Sequence, residues 1–382
     1  MFQERMLVAL GEAGLPASLI VSQRPLRLFP RSRTIYVPAT RHELESGLSV
    51  RMVPFINLPV LRPLSVGITV CFELRRWSEA SRSARRAVLT YNLTEPPGLL
   101  TLIGARLAGA VAIASVNDIF VPGETVADSW SRRVDFWLQR RLIKRFDGLS
   151  APTRRIRETF APEVPWVRNE GGVSENVARR FEGPASPREA TPERPFTIVF
   201  AGSLTDINGV PELVAGFARL AGSGYRLIVA GRGPEEGLIR RAAERDSRIE
   251  FRGYLSEDAV LSLYAEADLL LNLRITVRVN TDYFFPSKLI EFLATGVPVL
   301  STSTGHVKDE FGDVLFLLEQ ETPDALAARL SDLASMDARD RWCIGAAARR
   351  QVLDSHRWSV QGCRLATFIG QVAAKGQPAH AR

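Results

Sequence analysis

The stretch 196-FTIVFAGSLTDINGVPELVAGFARLAGSGYRLIVA-230 establishes the structural pattern of this 382-residue chain. An apolar strand, Phe196–Phe200, is closed by Ala201 and Gly202, and a segment with helical spacing follows at 210–221. A second apolar strand then begins at Tyr225. Short apolar runs separated by amphipathic segments are typical of βαβ units, in which helices cover both faces of a parallel sheet.

The same alternation continues toward the C-terminus, at about 25–30 residues per unit, as expected for βαβ crossovers. Further strands are predicted at 249–252, 269–273, 297–301 and 314–318, and helices at 235–246, 257–267 and 288–295. The first half has a similar but less regular pattern. It predicts helices at 2–13, 97–108 and 132–146, and strands at 18–21, 35–38, 87–91, 110–115, 148–151 and 166–168.

A proline-rich segment divides the chain. Residues 182–195 (EGPASPREATPERP) contain four prolines and no apolar periodicity, which is typical of a linker. We therefore predict an α/β protein with two tandem doubly wound Rossmann-like domains, at 1–181 and 196–356. A closing helix is predicted at 357–372 and a disordered tail at 373–382. Ligands of such sheets bind at the carboxyl ends of the strands, so we expect the site in a cleft between the two domains.

Charge is distributed unevenly along the chain. Residues 1–190 contain 27 basic and 18 acidic residues, a net charge of +9, whereas the remainder has a net charge of −2. A basic half favours an anionic partner such as a membrane surface or a phosphorylated acceptor. The alternative is that arginine is simply the common solvating residue here, because the chain has four lysines. Nucleic acid is disfavoured as a partner, since no recognisable motif interleaves the basic residues with aromatics.

Several features indicate a cytoplasmic location. The longest run without Asp, Glu, Lys or Arg, Phe292–Val307, has 16 residues, whereas a membrane-spanning helix needs about 20 apolar residues. The opening MFQERMLVALGEAGL lacks the basic start and cleavage site of a signal peptide. Three widely separated cysteines, Cys71, Cys343 and Cys363, favour a reducing compartment.

The segment with the most closely spaced candidate ligand-binding residues is Tyr283–Leu300, YFFPSKLIEFLATGVPVL. Ser287 lies where a helix should begin, and its hydroxyl and amide could cap that helix or reach a phosphate. Lys288 lies in the first turn, where a cation opposes the helix dipole unless an anion binds there. Glu291 lies three residues further on, on the same helix face. The structural alternative is a surface Lys–Glu pair on an amphipathic helix.

This constellation resembles a known family. Residues 196–370 resemble the nucleotide-sugar-binding domain of family 4 glycosyltransferases, retaining enzymes with the two-domain GT-B fold. The matching stretches are FAGSLTDINGVPELVAGF (200–217), LIVAGRGP (227–234), IEFRGYLSEDAVLSLYAEADLLLNLR (249–274), FFPSKLIEFLATGVPVLST (284–302) and HRWSV (356–360). The first domain matches more loosely. The strand and glycine-rich loop with which the family begins have no counterpart before the predicted helix 2–13, so a misplaced start, a fragment or a missing strand remains open.

The resemblance implies roles for particular residues. Glu291 would bind the ribose of a nucleotide-sugar donor, and the amides of Ser287 and Lys288 would bind its diphosphate. Gly202 and Ser203 would face the same diphosphate.

Two departures from the family concern charge. Ser203 and Asn208, which we also expect to contact the donor, stand where the family commonly has Arg and Lys, which normally clamp the diphosphate. We expect Lys288, with Arg274 or Arg278, to supply the missing positive charge. Tyr283 also replaces a glutamate that lies eight residues before Glu291 in the family, and that replacement concerns the contacts to the sugar.

The resemblance also implies transfer of a sugar, with retention of configuration, to a polysaccharide or lipid-linked acceptor. Family members use no invariant nucleophile, so preorganised charge would stabilise the leaving diphosphate. Asp118, His306 and Glu310 are the candidate catalytic residues because each follows a predicted strand. No metal or further cofactor is expected, since no metal-ligand spacing is found.

Other functions remain open. The chain could be a catalytically impaired relative that acts as a binding or scaffold protein. A GT-B-fold epimerase would need acid/base carboxylates and histidines paired in the cleft, which the sequence does not indicate. Peripheral docking on an anionic membrane is a further hypothesis. It is based on the basic helix 132–146, where Arg133, Arg140, Arg141 and Lys144 can share one face, and on the apolar stretch Val53–Leu74.

Overall fold

A computed structural model describes residues 2–81, 85–92, 96–117, 119, 130–183, 187, 189, 191 and 193–375. The chain forms two compact units. Unit 1 comprises Met1–Glu170 and Trp358–Arg382, and unit 2 comprises Gly171–Arg357. Among the described residues, no helix combines the length and the apolar character needed to cross a bilayer.

Unit 1 contains nine strands and six α-helices among its described residues. The strands are β1 (Val21–Gln23), β2 (Tyr36–Val37), β3 (Thr40–Glu43), β4 (Ser49–Val53), β5 (Phe55–Ile56), β6 (Ala87–Tyr91), β7 (Val111–Ser115), β8 (Gly148–Ala151) and β9 (Trp166–Arg168). The helices are α1 (Phe2–Glu12), α2 (Leu61–Ala80), α3 (Pro97–Leu107), α4 (Trp130–Leu142), α5 (Arg154–Phe160) and, at the far end of the sequence, α14 (Trp358–Lys375).

A parallel sheet of order β6-β7-β8-β9 is the centre of unit 1. Its apolar core combines Ile113 of β7 with Leu10 of α1 and Phe368 of α14. Two smaller sheets, β1-β4-β3 and β2-β5, contain antiparallel pairs; the predicted strands at 18–21 and 35–38 overlap β1 and β2, whereas β3, β4 and β5 were not predicted. The prediction of a doubly wound first domain therefore describes the four-stranded sheet and omits these additions.

Unit 2 contains the regular part of the chain. Its strands are β10 (Phe196–Ser203), β11 (Tyr225–Arg232), β12 (Ile249–Phe251), β13 (Leu269–Asn272), β14 (Val299–Thr302) and β15 (Phe316–Leu318). Its helices are α6 (Glu175–Arg180), α7 (Val210–Phe217), α8 (Glu236–Arg245), α9 (Glu257–Glu266), α10 (Ser287–Thr295), α11 (Val307–Phe311), α12 (Pro323–Ser335) and α13 (Ala338–Ser355).

The six strands of unit 2 form one parallel sheet of order β12-β11-β10-β13-β14-β15. Successive residues of β10 point to opposite faces, so Val199 joins one apolar core with Phe292 of α10. Ile198 joins the other core, with Phe217 of α7 and Leu330 of α12. Helices cover both faces, and the predicted doubly wound arrangement is confirmed for this unit.

The division of the chain differs from the predicted boundaries. Val173, Val177 and Ala178 belong to the core of unit 2, because the buried side of α6 packs there rather than on the first sheet. The helix α14, expected only to close the chain, is part of unit 1, and a side chain at Gly362 would meet the carbonyl oxygen of Ala9 at 2.4 Å. This helix also continues through Lys375, into the tail predicted at 373–382, of which 376–382 lie outside the described residues.

The carboxyl ends of β10 and β11 come unusually close at two glycines. Gly231 has a φ of +141°, and a Cβ placed there would lie 1.8 Å from the carbonyl oxygen of Gly202. Only glycine accommodates both the backbone angle and the approach. This contact fixes the edge of the sheet from which both loops leave.

We expect Gly231→Ala to lower the free energy of unfolding by about 1–3 kcal/mol or more, because the methyl group forces the two strands apart. Urea unfolding measures this change. Gly224→Ala, just before β11, is the matched control, because a Cβ there meets nothing within 4 Å and should leave stability nearly unchanged. Equal stabilities of the two variants would contradict the close approach.

Candidate functional site

The order of strands in unit 2 places a crevice at the carboxyl ends of β10 and β13. These two strands are neighbours, with Phe200 opposite Leu271, and connections leave them toward opposite sides of the sheet. In doubly wound sheets, ligands bind where the strand order reverses in this way. The residues that follow β10 and β13 are therefore the first candidates for a binding site.

The loop after β10 is held by its own polar groups and by the loop after β13. The side-chain amide of Asn208 donates to the carbonyl oxygen of Ser203 (2.8 Å), and the Ile275 N–H donates to the carbonyl oxygen of Ile207 (2.8 Å). Gly209 has a φ of +68°, and a Cβ there would meet Ile275 and Leu273 at 3.2–3.3 Å. Asn208, predicted as a ligand contact, thus shapes the loop.

Gly202 and Ser203 lie at the open edge of β10. A Cβ at Gly202 would meet nothing within 4 Å, in contrast to the crowded Gly231 beside it. Gly202 is thus not required by packing within the unit. Its small size leaves the backbone accessible to a ligand at the carboxyl edge.

The N-terminus of α10 is available to an anion. The helix begins at Ser287, and among the described residues no side chain caps it; the cap position is occupied by Pro286. Ser287 is therefore a helical residue and not the cap that its position in the sequence indicated. The N–H groups of Ser287 and Lys288 belong to the first turn, where the backbone has no partner within the helix.

Lys288 extends from this turn into a largely desolvated position. Burial lowers the pKa of its ammonium group, and the carboxylate of Glu291 partly opposes that effect. Its Nζ lies 5.8 Å from the centre of the Phe292 ring. A cation with reduced hydration thus lies at the end of the helix where the dipole is also positive, so a bound anion would relieve both unfavourable effects.

Arg274, just after β13, is the second desolvated cation. Burial lowers its pKa, and its guanidinium lies 3.8 Å from the centre of the Phe284 ring. Its backbone N–H donates to Thr302 Oγ1 (2.9 Å), which ties it to β14. In the described part of the chain, no carboxylate pairs with this guanidinium.

Arg278 has a different role from Arg274. Its guanidinium donates to the carboxylate of Glu212 on α7 and to the carbonyl oxygen of Asp206 (2.7 Å). It therefore fastens the loop after β13 to the first turn of α7. Of the two arginines predicted to supply charge to a ligand, the structure leaves Arg274 available and engages Arg278.

Glu291 lies one turn into α10, beside a buried aromatic pair. The ring of Tyr264 meets that of Phe292 edge-on, with centroids 5.1 Å apart. The pKa of Tyr264 is raised, mainly by burial and further by the carboxylate of Glu291. The Glu291 carboxylate therefore acts electrostatically on both Tyr264 and Lys288, so it lies near the N-terminal end of α10.

His306 and Glu310 come together at the start of α11. The imidazole of His306 stacks on Phe285, with centroids 4.9 Å apart, and so adjoins the segment that leads into α10. His306 Nε2 lies 3.5 Å from Glu310 Oε2.

His356 is a third member of this cluster. Its Nε2 lies 4.0 Å from Glu310 Oε1, and its Nδ1 lies 2.7 Å from the hydroxyl of Ser355. It was not predicted as a site residue, although it is the first residue of HRWSV (356–360), one of the stretches that resemble the glycosyltransferase family. Asp118, the other predicted catalytic residue, lies outside the described residues.

Comparison with solved structures shows which fold this geometry belongs to. Sucrose-phosphate synthase from Thermosynechococcus elongatus has a TM-score of 0.67 at 14% identity, with 98% of this chain and 93% of that chain covered. HepE from Anabaena, solved in complex with UDP, has a TM-score of 0.63 at 17% identity, with 84% of this chain and 86% of that chain covered. The fold is that of the GT-B glycosyltransferases, and the predicted fold class is confirmed.

Sequence comparison points to the same class. Residues 195–336 match the family described as glycosyl transferases group 1. The putative colanic acid biosynthesis glycosyltransferase WcaL of Salmonella typhimurium is 23% identical over 303 residues, which are 70% of this chain and 74% of that protein. WcaL of Escherichia coli is 22% identical over the same length. Together, these findings support a glycosyltransferase.

The desolvation of Lys288 predicts a pH-dependent stability. Because folding lowers its pKa below the ordinary value of 10.5, the charged lysine costs stability at neutral pH, and the cost fades as pH rises from the lowered pKa toward that value. We therefore expect Lys288→Met to be more stable than the parent at neutral pH, by an amount that shrinks in alkaline solution.

Urea unfolding over a pH series measures this difference. Lys308→Met is the control, since Lys308 is exposed and pairs with Glu319 (3.4 Å). A stability difference for Lys288→Met that does not change with pH would contradict a desolvated ammonium group.

Proposed function

We propose that this chain transfers a sugar from a UDP- or GDP-linked donor to a polysaccharide or lipid-linked acceptor, with retention of configuration. The observation that carries the proposal is the uncapped N-terminus of α10 beside two desolvated cations, Lys288 and Arg274. A nucleoside diphosphate supplies the negative charge that would neutralise these cations and accept hydrogen bonds from the helix N-terminus. HepE, with the same fold, was solved with UDP and with UDP-glucose, which supports this donor class.

Each part of the donor has a counterpart in the proposed site. The diphosphate oxygens accept hydrogen bonds from the N–H groups of Ser287 and Lys288, and Lys288 Nζ adds a point charge. Arg274 approaches the same oxygens from the end of β13. The Glu291 carboxylate accepts hydrogen bonds from the ribose hydroxyls. Gly202 provides an edge of backbone against which the diphosphate can lie.

Catalysis in this proposal depends on charge already in place. As the bond to the sugar breaks, negative charge accumulates on the diphosphate, and Lys288, Arg274 and the helix dipole stabilise it. The chain itself supplies this positive charge, so the proposal includes no metal ion. His306 and Glu310, beside the segment that enters α10, are the proposed groups near the reacting sugar, and Asp118 stays a prediction.

The charge of unit 1 supports an anionic acceptor or docking surface. Unit 1 contains 27 basic and 15 acidic residues, a net charge of +12, whereas unit 2 has a net charge of −5. A lipid-linked acceptor at the inner face of the cell membrane would bring negative charge close to this positively charged unit. The WcaL relatives, named for colanic acid biosynthesis, support a polysaccharide product.

Calorimetric titration with UDP, GDP, ADP and their sugars tests the donor, and release of nucleoside diphosphate from the bound donor tests turnover. Binding with hydrolysis or transfer is the expected result. Binding without turnover would favour the alternative of a scaffold or binding protein, for which the replacement of two family cations by Ser203 and Asn208 is the supporting observation. The absence of binding to every nucleotide would overturn the proposal.

We expect Glu291→Gln to weaken donor binding at least tenfold while leaving the fold intact. A hydrogen bond from a ribose hydroxyl to a carboxylate is worth about 1.5–3 kcal/mol, and the neutral amide loses the charge-assisted part. Calorimetry measures the affinity, and Glu244→Gln on the exposed face of α8 is the matched control. Unchanged affinity in Glu291→Gln would remove this residue from the site.

Lys288→Met should weaken the binding of UDP about tenfold or more and leave that of uridine nearly unchanged, since only the former has phosphate oxygens. Because the anion favours the protonated lysine, UDP affinity should fall as pH rises through the lowered pKa of Lys288.

Lys288→Arg is the variant that separates charge from structure. It should keep much of the affinity and lose this pH dependence, since arginine stays charged. Equal weakening of UDP and uridine in Lys288→Met would mean that the lysine acts only on the structure.

A further inference from the structure

Exposed apolar side chains are concentrated in unit 1. Of the 19 large hydrophobic residues that are exposed in the described part of the chain, 17 belong to unit 1 and two, Tyr254 and Val277, belong to unit 2. Unit 1 also has the net charge of +12. An apolar surface on a strongly basic unit is typical of a binding surface and not of an ordinary solvated face.

Two helices of unit 1 pack closely through small residues. A Cβ at Gly67 of α2 would lie 2.6 Å from Leu100 of α3, and one at Gly104 of α3 would lie 3.0 Å from Cys71 of α2. Later positions of α2 thus meet later positions of α3, so the two helices run parallel.

The parallel packing places two apolar stripes side by side. Helical periodicity turns positions 64, 68 and 72 of α2, and positions 99, 103 and 107 of α3, to one side of the pair. All six side chains at these positions are exposed, and Phe72 and Leu107 are exposed by 62% and 66%. We call this set the apolar face: Leu64, Ile68, Phe72, Leu99, Ile103 and Leu107.

The helix α4 combines exposed aromatics with positive charge. Phe136 packs edge-on against Phe160 of α5, with centroids 5.6 Å apart, which turns the opposite side of α4 outward. Trp130 and Trp137, which lie about 100–120° around the helix from Phe136, are exposed by 80% and 50%, and the Arg141 guanidinium lies 3.9 Å from the centre of the Trp137 ring. Residues 130–145 contain six basic residues and one acidic residue.

We propose that the apolar face and α4 dock unit 1 on an anionic lipid bilayer. The inference deepens the proposed function and rests on it for the lipid-linked acceptor. Charge complementarity identifies the occupant. The segment 130–145 has a net charge of +5 and carries exposed tryptophan beside arginine. These residues match an anionic lipid bilayer, in which negatively charged headgroups cover an apolar interior. A second copy of this chain would bring the same positive charge to the same surface.

Vesicle flotation tests the docking, with phosphatidylcholine vesicles that contain or lack phosphatidylglycerol, at low and high salt. The parent protein should bind the anionic vesicles and dissociate as salt rises. Ile68→Gln/Phe72→Gln/Ile103→Gln should weaken binding about tenfold or more, because the apolar contact is lost. Arg140→Gln/Arg141→Gln should weaken it about thirtyfold at low salt and make it less sensitive to salt.

Controls on unit 2 match both changes. Arg241→Gln/Arg339→Gln removes two exposed arginines, and Tyr254→Gln/Val277→Gln removes the two exposed apolar side chains of that unit. Both should bind vesicles as the parent does. Tryptophan emission should shift to shorter wavelength on anionic vesicles, and Trp130→Phe/Trp137→Phe should lose the shift, which tests α4 without altering the charge.

Three results would overturn the docking surface. The first is equal binding of the parent to both kinds of vesicle, and the second is equal binding by the surface variants and the parent. The third is a dimer of the parent in sedimentation velocity that becomes a monomer in Phe72→Gln. UDP titration of the same variants separates this inference from the proposed function. Vesicle binding without UDP affinity in the parent would overturn the donor assignment alone, and UDP affinity without vesicle binding would overturn the docking alone.

Discussion

The adjacency of β10 and β13 is the constraint on which the candidate site depends. Because the connections from these strands leave toward opposite faces, the loops at their carboxyl ends separate and leave a crevice. The glycine contact between β10 and β11 fixes one side of that edge. On the other side, Arg274 rests on Phe284 and His306 stacks on Phe285, so the strand ends and the entry to α10 form one connected set of contacts.

The charges of unit 2 fall into two groups with different physical roles. Arg278 is satisfied by Glu212, as Arg194 is by the buried Asp268 (2.6 Å), and such pairs hold loops and strands in place. Lys288 and Arg274 are desolvated: the Glu291 carboxylate only partly offsets the effect of burial on the pKa of Lys288, and among the described residues no carboxylate pairs with Arg274. A folded chain tolerates this cost when the same residues gain an anionic ligand, and this is the usual reason why strained electrostatics occur at functional sites.

The sequence predicts much of unit 2 because most of its strands contain a buried apolar run bounded by glycine or polar residues, as in Phe196–Ser203. It also identifies α10, where Ser287 and Lys288 follow a proline. It does not show which of Arg274 and Arg278 is paired, since Glu212 lies 66 positions from Arg278 and only tertiary folding brings them together. In unit 1, α2 (Leu61–Ala80) escaped prediction because Pro63 and Gly67 interrupt its pattern. The predicted strands at 18–21 and 35–38 overlap β1 and β2, but the exposed β3 and the two-residue β5 lack an apolar run that the sequence could show.

The return of α14 to unit 1 has a consequence for the order of events during synthesis. A ribosome delivers the residues of unit 2 before Trp358–Lys375, so the core that contains Ile113 stays open until α14 emerges. Unit 2 is continuous in sequence and can fold first. Its two ends then meet, since the Val173 N–H donates to the carbonyl oxygen of His356 (2.7 Å). Folding of the inserted unit thus converts a long loop into a short one and reduces the entropy lost when α14 completes unit 1.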